Sequence, residues 1–371
     1  MKKQRKNYAE ILERSAAKQF ISAMRQPFAV KGALMPDAHT GYSLPIGGVI
    51  ATKDVVVPAW VGYDIGCGMC AIKTTFSREQ IVLHRNEIFK RIYELIPTGR
   101  NRNETDGIFP ALKCLPRTQD FMRIWEEKQG LKQLCSLGSG NHFIEIGYDE
   151  DDKIWVVIHS GSRGVGHGVA EHYMKLAAFS DKPLEGHFGF HTFSPMGKDY
   201  LMDMEMCLAF ALENRRQMMN RVGAILYVWC GKGNYDYSTF INRNHNHVEQ
   251  NKDGLWVHRK GATHAEKGMY GVIPGNWEDG SFIVRGKGNP DSLCSSSHGA
   301  GRIMSRGAAR RKMNVEEERE RMTNQGIVAK IQDSTIDEAK GAYKSIFEVM
   351  EQQRDLVEIV NHIRPIINIK A

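Results

Sequence analysis

The sequence contains no long apolar run and no regular cysteine pattern, and each absence excludes a class of protein. No stretch reaches the roughly 18–20 apolar residues that a membrane-spanning helix needs. The basic N-terminus is not followed by the apolar segment of a secretion signal. The seven cysteines are odd in number and irregularly spaced, which argues against a disulfide framework. We therefore expect a protein without membrane segments, in the reducing environment of the cytoplasm.

The common signatures of nucleotide and nucleic-acid binding are also missing. The sequence has no Gx₄GK[ST] phosphate loop, no GxGxxG motif after a strand and no RRM or KH signature. Lys and Arg (50) nevertheless outnumber Asp and Glu (43), giving a net charge of +7, which favours a polyanionic partner. Any nucleotide would therefore be held by a non-standard site.

Helical and strand-like segments are interleaved without a regular βαβ repeat. Apolar residues at helical spacing predict helices over 8–25, 77–95, 166–178 and 197–220. Charged sequence of helical period predicts further helix over 303–361. Short apolar runs bounded by glycine or polar residues predict strands over 28–75, 142–148, 154–159, 255–258, 281–285 and 365–370. We predict one large α+β domain, with mixed or antiparallel sheets flanked by helices and an active-site cleft at strand ends.

Potential metal ligands are concentrated in turns that carry glycine, serine or asparagine at predicted strand ends. These ligand-type residues are Asp37, His39, Asp64, Cys67, Cys70, His142, Glu145, His159, His245 and His247. A carboxylate, a thiol and several imidazoles together suit a borderline divalent ion such as Mn²⁺, Zn²⁺, Co²⁺ or Fe²⁺ better than Mg²⁺. The joint pattern, more than any single residue, predicts a metal site.

Each of these residues has a plainer interpretation when it is taken alone. Cys67 and Cys70 have the spacing of a zinc knuckle or a redox pair. No second pair follows, however, and Cys70 begins an apolar strand, so we expect it in the core. Seven further histidines have no identifiable partner and are expected to be structural or on the surface: His167, His172, His187, His191, His258, His264 and His362.

The stretch 291–306 combines a histidine with small residues and arginines. His298 precedes Gly299–Gly301, whose small side chains allow backbone N–H groups to approach a phosphate. Arg302 and Arg306 would share one face if a helix begins here. A histidine beside such a phosphate site can be a nucleophile that accepts a nucleotidyl group. The alternative is a glycine turn that closes a strand, with His298 an ordinary polar residue.

A second set of residues offers contacts to a nucleotide. Backbone amides, an aromatic face and a hydroxyl come from Pro274–Trp277 and Ser281, and cations from Arg163, Arg259 and Arg285. Most Lys and Arg residues are solvated surface charges, and that remains the alternative for these three.

Taken together, these motifs resemble the RtcB family of RNA-splicing ligases along almost the whole chain. The matching segments are 36–42, 61–68, 138–145, 159–164, 245–246, 259–262, 273–275, 285–292 and 297–306. The resemblance implies an enzyme that uses GTP and Mn²⁺ to join an RNA 3′-phosphate or 2′,3′-cyclic phosphate end to a 5′-hydroxyl end. Such joining serves RNA repair or tRNA splicing.

The same resemblance implies roles for individual residues. His298 would be the catalytic nucleophile, becoming histidine-GMP and then passing GMP to the RNA 3′ end. The ligands of two Mn²⁺ ions, with the Cys67 thiolate bridging, would be Asp64, Cys67, His142, His159 and His245. The nucleotide would be bound by Asn141, His142, Phe143, Ile144, Glu145, His245, Asn246, Pro274, Gly275, Asn276, Trp277, Ser281, His298, Gly299, Ala300, Gly301 and Lys370.

Two other functions fit parts of the pattern. A metal-dependent cyclic phosphodiesterase acting on RNA ends would need the metal ligands but not the nucleotide pocket. A non-catalytic RNA-binding homologue would lack ligands, and none is missing. The complete set of residues favours the ligase, with RNA ends in a groove lined by arginines such as Arg163, Arg302 and Arg306.

Several features depart from the family pattern. Within a domain spanning 1–371, the segments 97–135 and 180–196 are expected to be variable insertions or loops. His247 stands where the family commonly has an aromatic or aliphatic residue. Neither His247 nor the pair Asp37 and His39 receives a role from the sequence. The natural RNA, an activating protein and the oligomeric state also stay open.

Overall fold

Strands and helices alternate irregularly along residues 3–371, the part of the chain that this computed structural model describes. The strands are β1 (Gln4–Asn7), β2 (Ala29–His39), β3 (Ile46–Thr52), β4 (Val55–Val56), β5 (Gly68–Thr74), β6 (Phe143–Tyr148), β7 (Ile154–Ser160), β8 (Phe190–His191), β9 (Tyr235–Asn244), β10 (Asn246–Gln250), β11 (Trp256–Lys260), β12 (Ala262–His264), β13 (Tyr270–Pro274), β14 (Ser281–Gly286), β15 (Ser295–Ser297), β16 (Val328–Ala329) and β17 (Val357–Lys370). The α-helices are α1 (Arg14–Arg25), α2 (Pro58–Val61), α3 (Arg78–Leu83), α4 (Arg85–Leu95), α5 (Ala111–Cys114), α6 (Gln119–Lys128), α7 (Gly130–Gln133), α8 (Arg163–Ala178), α9 (Pro195–Cys230), α10 (Arg306–Lys312), α11 (Val315–Asn324) and α12 (Ile346–Gln352).

Two sheets carry most of the strands. The larger one has the order β13-β14-β17-β6-β7-β5-β9, with β16 added alongside β17, and β13 returns close to β9, so that the sheet is nearly closed. All its pairings are antiparallel except β16 with β17. The second sheet has the order β1-β2-β3-β11-β10. The α+β class with mixed and antiparallel sheets is confirmed.

The larger sheet is enclosed by helices. Every residue of β7 is buried, as are the last six residues of β17, including the polar residues His159, Ser160, Asn368 and Lys370. The 36-residue helix α9 begins with Pro195 at its first position and Ser194 as its N-cap. Its apolar stripe, including Met218 and Val222, packs on the sheet. No helix within residues 3–371 is both long and apolar enough to cross a membrane.

Some predicted elements differ from the structure. The first helix begins at Arg14 rather than at 8, because Tyr8 still pairs in extended form with Leu34. The charged segment 303–361 is not one helical region: it holds the short helices α10, α11 and α12, the strand β16 and two 3₁₀ turns, and β17 begins at Val357. Its helical spacing is broken by turns and by the apolar residues that β17 pairs with β6 and β14. The segment 97–135 contains α5, α6 and α7.

The boundaries of the domain and the cytoplasmic location stay predictions. So does the view of 97–135 and 180–196 as insertions.

Candidate functional site

Five ligand-type side chains from separate segments converge at one edge of the larger sheet. Cys67 Sγ lies 3.3 Å from His142 Nε2 and 3.2 Å from His159 Nε2. Asp64 Oδ2 lies 3.0 Å from His142 Nε2, and His159 Nε2 lies 3.3 Å from His245 Nε2. The structure therefore brings together all five residues that the sequence suggested as metal ligands.

Antiparallel strand pairing explains this convergence. Phe143, at the start of β6, lies opposite His159 near the end of β7. Gly68, at the start of β5, pairs with both Ser160 and Asn244. In antiparallel neighbours the start of one strand meets the end of the next. The five ligand-type side chains lie in these strand ends or in the turns next to them. Strand pairing therefore brings all five to the same edge.

The five side chains form two groups that share one thiol. One group is Cys67, His159 and His245, the other is Asp64, Cys67 and His142, and within each group the potential ligand atoms lie within 4.8 Å of one another. All but Asp64 are buried. The donor set therefore fits two neighbouring divalent cations with a thiolate between them.

Burial and neighbouring charges set the protonation of these groups. Burial, together with the Asp64 carboxylate, raises the pKa of Cys67 well above its usual value. Burial opposes ionisation of Asp64, but its interactions with His142 and Cys67 lower the pKa of Asp64 to about 2. Burial also holds the pKa of His159 and His245 well below the usual value, so both rings are neutral. Binding a cation would displace the thiol proton, as ligation by cysteine requires.

Backbone carbonyls orient two of the imidazoles. His142 Nδ1 lies 3.0 Å from the carbonyl oxygen of Leu137, and His159 Nδ1 lies 3.2 Å from that of Asn141. A carbonyl can only accept, so each Nδ1 carries a proton, and each ring directs Nε2 towards the cluster. This is the arrangement in which histidine binds metals through Nε2.

Arg215 of α9 holds the turns of the cluster together from behind. Its side chain is fully buried. Nη1 donates to the carbonyl oxygens of Gly66 at 3.0 Å and Ser160 at 2.7 Å, and Nη2 donates to Asn244 Oδ1 at 2.6 Å. These three residues are immediate neighbours of Cys67, His159 and His245. This role could not be predicted from the sequence, because Arg215 stands among polar residues in a predicted helix.

His298 lies beside the cluster, with its ring centroid 4.9 Å from that of His245. Its Nδ1 lies 2.6 Å from Asp37 Oδ2, which also accepts the backbone N–H of His298 at 3.1 Å. Burial opposes ionisation of Asp37, yet His298 lowers its pKa, so the carboxylate accepts from Nδ1–H. Asp37 thus holds Nδ1, and Nε2 is the ring nitrogen that it does not contact.

The Asp37 segment is fixed by a residue that the sequence analysis did not identify. Lys344 Nζ donates to the backbone carbonyls of Ile11, Pro36 and Ala38 at 2.8, 3.0 and 2.8 Å. Gly301, at φ +74°, packs so closely here that a Cβ would lie 2.2 Å from the carbonyl oxygen of Asp37. Gly301 is therefore required for the packing of the Asp37 segment, in addition to any approach to a phosphate.

A cavity of about 450 Å³ opens next to His298. Most of the residues predicted for a nucleotide pocket line it: Asn141, Phe143, Glu145, Pro274, Gly275, Asn276, Trp277, His298, Gly299, Ala300, Gly301 and Lys370. Five do not line this cavity: His142, Ile144, His245, Asn246 and Ser281. The two histidines belong to the cluster, Ile144 packs in the core, and Ser281 is fully buried in β14.

Asn246 supports the cluster rather than lining the cavity. Its Nδ2 donates to the backbone carbonyl of Asp64 at 3.1 Å, and its Oδ1 accepts the backbone N–H of Gly261 at 2.7 Å. It thus ties the Asp64 turn to the turn after β11.

One wall of the cavity has buried polar atoms without partners in the protein. Glu145 Oε1 and Asn368 Oδ1 make no hydrogen bond to residues 3–371. Burial raises the pKa of Glu145 to about 8, despite the opposing effects of Ser281 and Lys370. Lys370 Nζ lies 2.9 Å from Glu338 Oε2. Unsatisfied buried donors and acceptors of this kind are typical of a wall that a polar ligand completes.

The arginines after His298 are paired with carboxylates. Arg302 Nη1 lies 3.2 Å from Glu338 Oε1, and Arg306 Nη1 lies 3.2 Å from both Asp337 Oδ2 and Glu338 Oε1. They do not share a helix face, because α10 begins only at Arg306, with Ser305 as its N-cap. Their charge is therefore largely offset within the protein.

The other predicted residues lie elsewhere. Cys70 is fully buried at the centre of β5, as expected for a core thiol. His247, left without a role, faces His264 with the two Nε2 atoms 3.0 Å apart. Arg259 lies beside them, with Nη1 3.4 Å from His247 Nε2.

Comparison with known proteins gives one consistent result. A family model described as tRNA-splicing ligase RtcB matches residues 19–113 and 114–371. The RNA-splicing ligase RtcB of Escherichia coli is 35% identical, over 97% of this chain and 95% of its own length. RNA-splicing ligase RtcB homolog 1 of Entamoeba dispar is 30% identical, over 96% of this chain and 82% of its own length. The tRNA-splicing ligase RtcB of Pyrobaculum aerophilum is 29% identical, over 86% of this chain and 82% of its own length.

Proposed function

This chain belongs to the RtcB family, and from that membership we propose that it is a GTP- and Mn²⁺-dependent RNA ligase. It would join an RNA 3′-phosphate or 2′,3′-cyclic phosphate end to a 5′-hydroxyl end, in RNA repair or tRNA splicing. The observation that carries the proposal is the position of His298 between the five-residue cluster and the 450 Å³ cavity. A nucleophile, a cation site and a ligand cavity adjoin, as nucleotidyl transfer requires.

Two Mn²⁺ ions are proposed for the cluster. One would be held by Cys67, His159 and His245, and the other by Asp64, Cys67 and His142. The mixture of carboxylate, thiolate and imidazole donors supports a borderline ion. When bound, the ions would neutralise phosphate charge and stabilise the displacement at phosphorus.

His298 is proposed as the nucleophile. Asp37 holds the proton on Nδ1, which leaves Nε2 as the attacking atom. Attack on the α-phosphate of GTP would form an Nε2–P bond and release pyrophosphate. The imidazole gains positive charge as the bond forms, and the fully buried Asp37 carboxylate stabilises that charge.

The cavity would hold the guanine nucleotide. Glu145, Asn368 and Lys370 offer polar atoms to the base, and two of those atoms lack partners in the protein. Guanine presents N–H donors and a carbonyl acceptor, which match such a wall. Gly299 and Ala300, beside His298, would leave room for the phosphates.

The later steps follow from the lability of the phosphoramidate. The RNA 3′-phosphate would attack the GMP phosphorus, breaking the Nε2–P bond and forming a guanylyl-activated 3′ end. The 5′-hydroxyl would then attack the activated RNA phosphate, forming the phosphodiester and releasing GMP. A 2′,3′-cyclic phosphate would first be hydrolysed to the 3′-phosphate.

The test is covalent labelling. Incubation with GTP labelled at the α-phosphate, in the presence of Mn²⁺, should leave label on the protein that is labile in acid and resistant to hydroxylamine. His298→Ala should take up none. His191→Ala, which removes an exposed histidine outside both the cluster and the cavity, should label like the wild type. A wild-type protein that takes up no label would refute the proposal.

A further inference from the structure

A second cavity, of about 630 Å³, meets the five-residue cluster from another direction. It reaches the cluster at Asp64 and His142, whereas the first cavity reaches it at His159, next to His298. Asn141 and Arg306 line both cavities, so the two adjoin at the cluster. We call the second cavity the basic groove. In addition to Arg306, four cationic residues line it: Arg100, Arg102, Lys128 and Arg163.

The charges of the basic groove are not neutralised by the protein. None of its four cations lies within ion-pair distance of a carboxylate of residues 3–371, and Asp64 is the one acidic residue that lines the groove. The nucleotide cavity differs in this respect, because Arg302 and Lys370 are paired with Glu338. Unpaired cations along a groove are typical of a surface that binds a polyanion.

The loop that carries two of these arginines is fixed in place. Gly99 N–H donates to the carbonyl of Gly138 at 2.8 Å, and Arg163 Nη2 donates to the carbonyl of Gly99 at 3.0 Å. Gly138 lies four residues before His142. The groove cations Arg100 and Arg102 therefore extend from a backbone that is tied to the metal-ligand turn.

An aromatic pair lies in the same groove. The rings of Tyr63 and His167 are stacked, with centroids 5.0 Å apart and planes at 21°. The side chain of His167 is 52% exposed. Aromatic rings next to unpaired cations are the usual components of single-strand binding sites, in which a base stacks on a ring and the phosphates contact the cations.

We propose that the basic groove binds the single-stranded RNA end that carries the 3′-phosphate. A base stacks on His167, which Tyr63 supports, and Arg100 and Arg102 contact the backbone phosphates that precede the terminal one. A terminal phosphate adds about 1.5 to 2 negative charges to the strand at pH 7, whereas a 5′-hydroxyl end adds none. The groove of unpaired cations therefore takes the phosphate-ended strand. This inference rests on the proposed ligase function.

The test separates RNA binding from attack on GTP. The double variant Arg100→Ala/Arg102→Ala and the single variant His167→Ala are compared with Lys53→Ala/Lys252→Ala. That control removes the same charge from two exposed lysines that line neither cavity. For each protein, GMP labelling is measured without RNA. Fluorescence anisotropy then gives the affinity for a 3′-phosphate RNA oligonucleotide and for a 5′-hydroxyl oligonucleotide that ends in 3′-hydroxyl.

The basic groove variants should label with GMP at the wild-type rate. The double variant should bind the 3′-phosphate strand at least about tenfold more weakly than the wild type does. The slope of log binding constant against log salt concentration should be shallower by about 1.4, because two phosphate contacts are lost and each contributes about 0.7. His167→Ala should weaken that strand about fivefold or more, the lower end of what a lost base stack costs. The control should change none of these quantities beyond about twofold.

Three outcomes would overturn the inference: unchanged binding of the 3′-phosphate strand, an equal loss in the lysine control, or a loss confined to the 5′-hydroxyl strand. Failure of the ligase proposal would look different, because the wild type would then take up no GMP. Selective loss of the 3′-phosphate strand in that unlabelled protein would still support the groove.

Discussion

Replacing Asp37 by Asn tests how the protein prepares His298 for attack. Asn has nearly the same shape, and its amide oxygen can occupy the position of Oδ2, which accepts both Nδ1–H and the backbone N–H of His298. The amide nitrogen then occupies the position of Oδ1, a buried atom with no hydrogen-bond partner in residues 3–371. The proton of His298 can therefore stay on Nδ1, and what the substitution removes is the negative charge.

The expected cost follows from the charge that develops on the ring. Opposite unit charges about 4 Å apart attract by about 4 kcal/mol at an effective dielectric constant of about 20. The ring carries only part of a charge in the transition state, so about 2 to 4 kcal/mol is lost. At about 1.4 kcal/mol for each factor of ten, formation of histidine-GMP should slow by about 30- to 900-fold.

The assay is single-turnover labelling with saturating α-labelled GTP and Mn²⁺. GTP affinity should stay near that of the wild type, because Asp37 does not line the cavity. Asp203→Asn is the matched control: Asp203 is also fully buried, and it bonds to Thr118 and Tyr173 instead of His298. That variant should lose stability but label at the wild-type rate.

The reasoning would be refuted by an Asp37→Asn protein that folds normally and labels within threefold of the wild-type rate. It would also be refuted if GTP affinity fell while the rate at saturation did not. Either result would mean that the charge of Asp37 does not act on the reacting ring.

Three further changes test the surroundings of the site. Burial raises the pKa of Glu145 to about 8, so ionisation of this residue destabilises the folded protein. In urea denaturation, the free energy of unfolding should therefore fall between about pH 5 and 8 in the wild type but not in Glu145→Gln. The same pH dependence in both proteins would contradict this. Arg215→Met leaves buried acceptors unpaired and should lower the free energy of unfolding by about 3 to 5 kcal/mol, so a loss below about 1 kcal/mol would contradict its role. Gly161→Ala places a Cβ 2.2 Å from Asp64 Oδ1, so it should weaken Mn²⁺ binding about 10- to 100-fold, as measured by calorimetric titration. The control Gly307→Ala has room for a Cβ and should bind Mn²⁺ like the wild type.

Residue type alone marked ten candidate ligands in the sequence, and the family resemblance selected from them the five that the structure brings together. A thiol, a carboxylate and histidines next to glycine, serine or asparagine at strand ends are uncommon outside sites. His159 and His245 are 86 positions apart, and their meeting depends on the pairing of β5 with both β7 and β9. The family resemblance implied a grouping around Cys67, and the sheet order explains how these distant residues meet.

The supporting residues could not be predicted because nothing local distinguishes them. Arg215 looks like any arginine of a long helix, and Lys344 like any lysine of a charged segment. Their burial depends on which carbonyls the fold directs towards them, and those carbonyls belong to distant segments. Asp37 was noticed as a possible ligand, but its partner His298 lies 261 positions away. Two residues so far apart in the sequence share no periodic pattern from which their pairing could be predicted.

The segment 303–361 shows the limit of reading periodicity. Its charged residues have helical spacing, yet Arg306 and Glu338 form an ion-pair network with the preceding Arg302 instead of an exposed helical face. The spacing of charged residues in the sequence is the same whether their side chains face solvent or pair with a buried carboxylate. Tertiary pairing therefore overrides the local pattern where the segment forms a wall of the cavity.

The histidines of the site differ in what holds Nδ1, and the difference fits what each ring is proposed to do. Backbone carbonyls accept from His142 and His159, whereas a carboxylate accepts from His298. A neutral acceptor is sufficient for a ligand, because it needs only to fix the tautomer and leave Nε2 free. A nucleophile becomes cationic as it reacts, and a buried anion stabilises it at that moment. The partner of Nδ1 therefore differs between the proposed nucleophile, His298, and two of the proposed ligands, His142 and His159.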